Sequence, residues 1–217
     1  MNLLNTSGYE IYNKSITKGD GCYVFDSNNT RYIDFEAGVW ALPLGHNNIE
    51  VNNALIKQLS EISHIGYRFS HAVVEEAAAS LLRIMNLDQG KCLFLSSGSE
   101  AVEFAVKVIK AVTDKPYLLN LDKYYLSAYG ATGNTSSDPW ISLDWRACLQ
   151  KGQSNYDEIL KDIPFEQIGA FVFEAGNGSG NVWLPPKDLI QVITSRVKEY
   201  GGWIVVDEVT VGMGRTG

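Results

Sequence analysis

The 217-residue chain carries 18 Lys and Arg against 25 Asp and Glu, a formal net charge of -7, and its basic residues are scattered with no run, which argues against a nucleic-acid partner. An apolar fraction of 45% suits a buried parallel sheet, and without a signal peptide or membrane-length apolar run a cytoplasmic protein with no membrane partner is expected. Cys22, Cys92 and Cys148 are widely spaced, and with His46, His64 and His71 they form no metal motif, so free thiols and no metal site are expected.

In chain order, Cys22-Tyr23-Val24-Phe25 and Arg31-Tyr32-Ile33-Asp34-Phe35 flank the turn-rich Asp26-Ser27-Asn28-Asn29-Thr30, which predicts a β-hairpin within a small N-terminal unit. Apolar periodicity then predicts helices at about Ile49 to Ser63 and Ala72 to Met85. The run Lys91-Cys92-Leu93-Phe94-Leu95 reads as a strand. After it come the tight turn Ser96-Ser97-Gly98-Ser99-Glu100 and a helix whose apolar stripe is drawn from Ala101, Val102, Phe104, Ala105, Val106, Val108, Ile109 and Val112. Two readings of that turn stand. Free N–H groups at a helix start, beside small hydroxyls, suit a phosphate; equally, Ser followed by Glu is an ordinary capping box. Neither a P-loop nor a dinucleotide fingerprint is present, which disfavours a generic nucleotide-binding domain.

The strand Tyr117 to Leu121 leads to Lys123-Tyr124-Tyr125-Leu126, and Gly130 to Lys151, rich in Gly, Ser, Asn and Pro, reads as an irregular surface loop. Phe171-Val172-Phe173-Glu174 reads as a buried strand ending in a glycine-rich loop. Trp203-Ile204-Val205-Val206 reads as a central parallel strand closing on Asp207-Glu208, at the end of an α/β sheet where ligands collect. A carboxylate there caps the next element, binds a metal, or pairs with a positive ligand atom.

Ser97-Gly98-Ser99-Glu100-Ala101-Val102-Glu103-Phe104-Ala105-Val106-Lys107, and Asp207-Glu208-Val209 with Gly212-Met213-Gly214-Arg215-Thr216-Gly217, closely resemble class III aminotransferases, the ω-amino-acid branch of the fold-type I pyridoxal-phosphate enzymes. Arg31 to Gly38, Leu44 to Asn47 and Ala54 to Leu59 resemble that family's N-terminal segment. The resemblance implies an α/β fold: the large domain of an aspartate-aminotransferase-like, PLP-dependent transferase, incomplete, with an N-terminal small-domain segment. Residues 1–45 would form that segment with its hairpin, and 46–217 the cofactor-binding domain.

The same resemblance implies roles. Asp207 would hold the pyridine nitrogen of pyridoxal 5'-phosphate protonated, and Val209 would pack on one ring face. Gly98 and Ser99 would take the phosphate, with Ser97 a weaker candidate. Tyr124 would face the other side of the ring, although the Tyr-His-Gly usual in the family becomes Tyr124-Tyr125-Leu126. Asn177 stands where a Gln often meets the ring hydroxyl, and Glu174 would pair reversibly with a substrate-binding Arg. Trp40 would wall the substrate pocket, with Tyr67 and Arg68 weaker candidates. No catalytic residue is assigned within the chain. The Schiff-base lysine is expected beyond Gly217, since Lys107, Lys110 and Lys123 read as solvated charges.

The implied activity moves an amino group from an amine or ω-amino acid to a 2-oxo acid, in a homodimer or with a second chain carrying the C-terminal half. The 217 residues alone are expected to be inactive and prone to aggregate. An aminomutase or lyase of the same family, or a non-catalytic remnant or subunit needing a partner chain, are the alternatives.

Overall fold

The computed structural model describes residues 11, 15–146, 156–176 and 182–215. The chain divides into two compact units, Met1–Cys92 and Leu93–Gly217. Among the described residues no helix is long and apolar enough to cross a membrane.

In the first unit, β1 (Ile16–Asp20), β2 (Tyr23–Asp26) and β3 (Arg31–Ile33) form an antiparallel sheet in that order. The expected hairpin is its second half, and β1 adds a strand that the sequence reading did not include. Asp26 shapes the turn: its Oδ1 accepts from the N–H of Asn28 and of Thr30, each at 2.9 Å, and its Oδ2 accepts from the Tyr32 hydroxyl at 3.0 Å. These bonds hold the Asp26 carboxyl below its ordinary value, the Thr30 N–H contributing most.

The next segment is anchored by Asp34, whose Oδ2 lies 2.8 Å from His46 Nε2 and whose Oδ1 accepts from the N–H of Glu36 and Ala37. Four consecutive residues, Ala37, Gly38, Val39 and Trp40, then take left-handed φ of 49°, 61°, 57° and 66°. For β-branched Val39 that conformation is strained. Helices α1 (Ile49–Glu61) and α2 (Ala72–Ile84) start where expected. Asn48 caps α1 by accepting from the N–H of Glu50 and Val51, and His71 caps α2 by accepting from that of Val73. Neither helix contains a buried residue.

The second unit holds the core. Helix α3 (Gly98–Val112) precedes β4 (Tyr117–Leu121) and β5 (Trp140–Leu143). After α4 (Tyr156–Leu160) and a short 3-10 turn (Phe165–Gln167) come β6 (Ile168–Glu174), α5 (Lys187–Glu199) and β7 (Trp203–Asp207). The strands form a parallel sheet in the order β5-β4-β6-β7. Side chains alternate across it. One face packs Leu118, Trp140, Ala170 and Val172 under Val102, Val106 and Ile109 of α3. The other packs Leu119, Leu121, Leu143, Phe171 and Phe173 under Leu189, Ile193 and Val197 of α5.

Two expectations are corrected. The stretch 130–151 is not irregular throughout, because Trp140-Ile141-Ser142-Leu143 is β5, with Trp140 and Leu143 each buried on a different face. Conversely, Lys91–Leu95 joins no strand, and Leu93, Phe94 and Leu95 are 59%, 50% and 43% exposed. A strand exists only through hydrogen bonds to a neighbour, and the sheet offers this run none.

Candidate active site

The carboxyl ends of the four parallel strands and the start of α3 lie in one unit, and the residues there can be placed from their contacts. Ser97 is the N-cap of α3: its Oγ accepts from Glu100 N–H at 3.2 Å, while Glu100 Oε2 accepts from Ser96 N–H at 2.8 Å. The capping reading of this turn is therefore realised, and the Ser97 hydroxyl is engaged in it. The N–H groups of Gly98 and Ser99 lie ahead of the intrahelical ladder, where a helix start favours an anion. Ser99 Oγ accepts from Ala128 N–H at 3.0 Å, tying the loop after β4 to the helix mouth. A hydroxyl that accepts still has its own proton to donate.

Val209 meets the same mouth. A Cβ placed on Gly98 would stand 2.6 Å from both methyls of Val209, so only glycine lets the loop after β7 seat against α3. Asp207 Oδ1 accepts from Val209 N–H at 2.9 Å, which folds that loop back over the strand end. In the sheet register Asp207 stands beside Glu174, and the Thr210 hydroxyl donates to Glu174 Oε1 at 3.4 Å. By the alternation, both carboxylates belong to the α3 face, with Val205 and Val172. Both are buried, 5% and 3% exposed. Burial raises the Asp207 carboxyl above its ordinary value; the bond from Val209 N–H opposes this and the charge of Glu208 adds to it. A carboxylate so placed gains most from a cationic partner.

Tyr124 is placed differently. Its ring is 7% exposed and belongs to the α5-face core with Leu119, Leu121 and Leu143. Burial, with the charge of Glu174 adding and that of Arg146 opposing, holds its hydroxyl above the ordinary phenol value, and among the described residues that hydroxyl has no hydrogen-bond partner. Trp40 lies in the left-handed turn of the first unit, half-buried. Asn177 lies outside the described residues.

The sequence reading missed Thr210, Ala128, and the pair Asp122–Arg146, joined at 3.0 Å at the ends of β4 and β5. Asp122, directly after an apolar strand, offered the same signal as Asp207; nothing marked Ala128, whose contribution is a backbone N–H.

Residues 6–146 match the family described as Aminotransferase class-III. The chain belongs to this family. It is 30% identical over 210 residues to an acetylornithine aminotransferase of Archaeoglobus fulgidus, covering 93% of this chain and 54% of that protein. It is also 30% identical to a [LysW]-aminoadipate semialdehyde/glutamate semialdehyde transaminase of Sulfurisphaera tokodaii, covering 94% and 53%. The chain thus spans about half the length of the curated relatives it matches. Its fold is that of solved aminotransferase structures. The ornithine aminotransferase of Toxoplasma gondii superposes with a TM-score of 0.79 at 22% identity, covering 95% of this chain and 51% of that one. A PLP-bound amine transaminase from an uncultivated Pseudomonas species gives 0.78 at 23%, covering 99% and 57%.

Proposed function

We propose that this class III aminotransferase chain supplies the ring and phosphate sites of a pyridoxal 5'-phosphate enzyme that moves an amino group from an amine or ω-amino acid to a 2-oxo acid. The observation that carries the proposal is the contact of Val209 with Gly98, which joins a buried carboxylate loop to a helix mouth suited to an anion. A flat, cationic, phosphorylated ring matches those two ends. The relatives named for acetylornithine, for semialdehydes and for amines support the broad donor class rather than one member of it.

Bound there, pyridoxal phosphate supplies an electron sink for the substrate carbon that loses its proton. Asp207 holds a proton on the ring nitrogen, a charge pair that also offsets its own burial. Gly98 and Ser99 bind the phosphate through backbone N–H groups, and the Ser99 hydroxyl donates its free proton. Val209, seated against Gly98, would pack on one face of the ring. Glu174 stands beside Asp207 for a cationic side chain or substrate amine. The reactive lysine, a homodimeric assembly, a cytoplasmic setting and the division at residue 45 belong to the same proposal.

The test is absorbance titration of the 217-residue chain with pyridoxal phosphate, followed by borohydride reduction and intact mass. Saturable binding that Asp207→Asn weakens, with no single lysine trapped, is the expected result. Absence of saturable binding would overturn the cofactor reading, and a stable adduct on one lysine of this chain would overturn the expectation that the reactive lysine lies elsewhere.

A further inference from the structure

We infer that the outer face of α3 is the surface on which two copies of this chain pair, antiparallel about a twofold axis near Phe104; this rests on the homodimeric part of the reading above and not on the cofactor. At 3.6 residues per turn, Val102, Val106 and Ile109 share the side of α3 that is buried on the sheet, and Glu100, Phe104, Lys107 and Ala111 share the opposite side. Beside them runs a second apolar stripe: Phe104, Val108 and Val112, four residues apart, are 44%, 42% and 56% exposed. A helix that lies on one core carries one such stripe. Helix α3 carries two, and the sheet covers only one.

Phe104 borders a hollow of about 580 Å³ with Leu95, Tyr129 and Lys107. Glu103, one turn before Lys107 and its natural partner along the helix, is instead spent on the N–H and hydroxyl of Thr132. Among the described residues Lys107 therefore has no ion pair, and Glu100 is bonded through one oxygen, to the Ser96 N–H.

The order of these groups selects the partner. Glu100 lies about 6 Å before Phe104 along the axis of α3 and Lys107 about 4.5 Å after it, so turning the helix end for end about Phe104 brings a negative group onto a positive one. A second copy so placed is its own complement: Glu100 of each chain stands against Lys107 of the other, with the two Phe104 rings between them, each beside the other chain's hollow. A twofold contact repeats every pairing, and an apolar centre with a charged rim is the usual build of a protein interface. Other occupants fit less well. A small anion in the hollow would meet Glu100 and Glu103 beside the lysines, and any ligand confined to it would leave Val108 and Val112 exposed.

The test is sedimentation equilibrium of the 217-residue chain, read as the dissociation constant of its dimer. Glu100→Lys and Lys107→Glu, each alone, set like charges together twice and are expected to weaken the dimer roughly tenfold or more. An equal mixture of those two variant chains is expected to form a dimer with one chain of each, because every meeting is then between opposite charges; loss of the Glu100 cap by itself would not be repaired by mixing. Phe104→Ala is expected to weaken the dimer roughly tenfold with the far-ultraviolet circular dichroism unchanged. Single variants that dimerise as the parent does, or a mixture that stays monomeric, would overturn this face as the contact while leaving a homodimer standing. A parent chain that is monomeric, or that associates without limit, would overturn both, and the cofactor titration above would still decide the cofactor reading by itself.

Discussion

The two units solve the burial problem in opposite ways. The second lays helices on both faces of a parallel sheet and buries every residue of β6; the first has a small sheet, in which Asp26 is buried, and two amphipathic helices in which no residue is. Ile49, Ile56 and Leu59 of α1 are 67%, 66% and 64% exposed, although their spacing is that of a core-facing stripe. The first unit is held by local hydrogen bonds around Asp26, Asp34 and the caps, the second by packing. An apolar stripe states which face a helix must bury, and says nothing about which surface will cover it.

The largest effect that would sharpen this contrast is in the sheet. Phe171 is fully buried and stacks on Phe173 with centroids 4.6 Å apart. Phe171→Ala is expected to cost about 3–5 kcal/mol in urea unfolding, against about 0.5 kcal/mol or less for Leu59→Ala in α1. Equal losses would mean that the first unit's stripe is covered in solution. Next comes Gly98→Ala, whose methyl meets Val209; overpacking is expected to cost about 1–3 kcal/mol and to reduce cofactor affinity. A substitution that left both unchanged would mean that Val209 does not seat against α3.

Acid distinguishes the units by sign. Burial raises the folded-state value of Asp207, so the folded chain binds more protons than the unfolded one between the two values. Its contribution to stability therefore falls as pH rises through that interval and stays low above it. Asp207→Asn should raise Tm by a few degrees at neutral pH without cofactor, flatten that slope, and weaken cofactor binding. Asp34 behaves oppositely. His46 first, then the Ala37 N–H, hold its carboxyl below the ordinary value. Its stabilisation is present above the unfolded value and is lost as pH falls through the folded one. Asp34→Asn should produce a smaller change than Phe171→Ala, Gly98→Ala or Asp207→Asn, seen as faster amide exchange in residues 34–46 at neutral pH, with the difference closing in acid.

Much of this was legible in the sequence because it is local. The Asn-rich turn, the helix starts, the Ser97–Glu100 cap and the strands ending at Leu121, Glu174 and Asp207 each follow from a few adjacent residues. What the sequence concealed depended on distant partners. Trp140–Leu143 reads as loop because its turn-rich approach outweighs four residues whose strand state depends on β4. Lys91–Leu95 reads as strand because its composition is right, yet composition cannot supply a neighbour. At the site, Asp207 and Gly98 were legible as strand-end and helix-start signals. The side of the sheet on which Tyr124 lands was not, since adjacent tyrosines at a rim are distinguished only by where the chain crosses it.

The seat of Val209 on Gly98 also has a meaning in time. The helix mouth leaves the ribosome first, and the valine that completes it follows on the order of ten seconds later at ordinary rates of synthesis. Until then α3 can form its cap and the loop after β4 can tie to Ser99, but the mouth has no floor. A closure joining residues so far apart in sequence is a slow, late event. A ligand that requires it would act as a clasp on the sheet described above, drawing β7 into register by mass action. On the pyridoxal-phosphate reading, supply of that cofactor during synthesis would govern how much of the chain reaches its folded form.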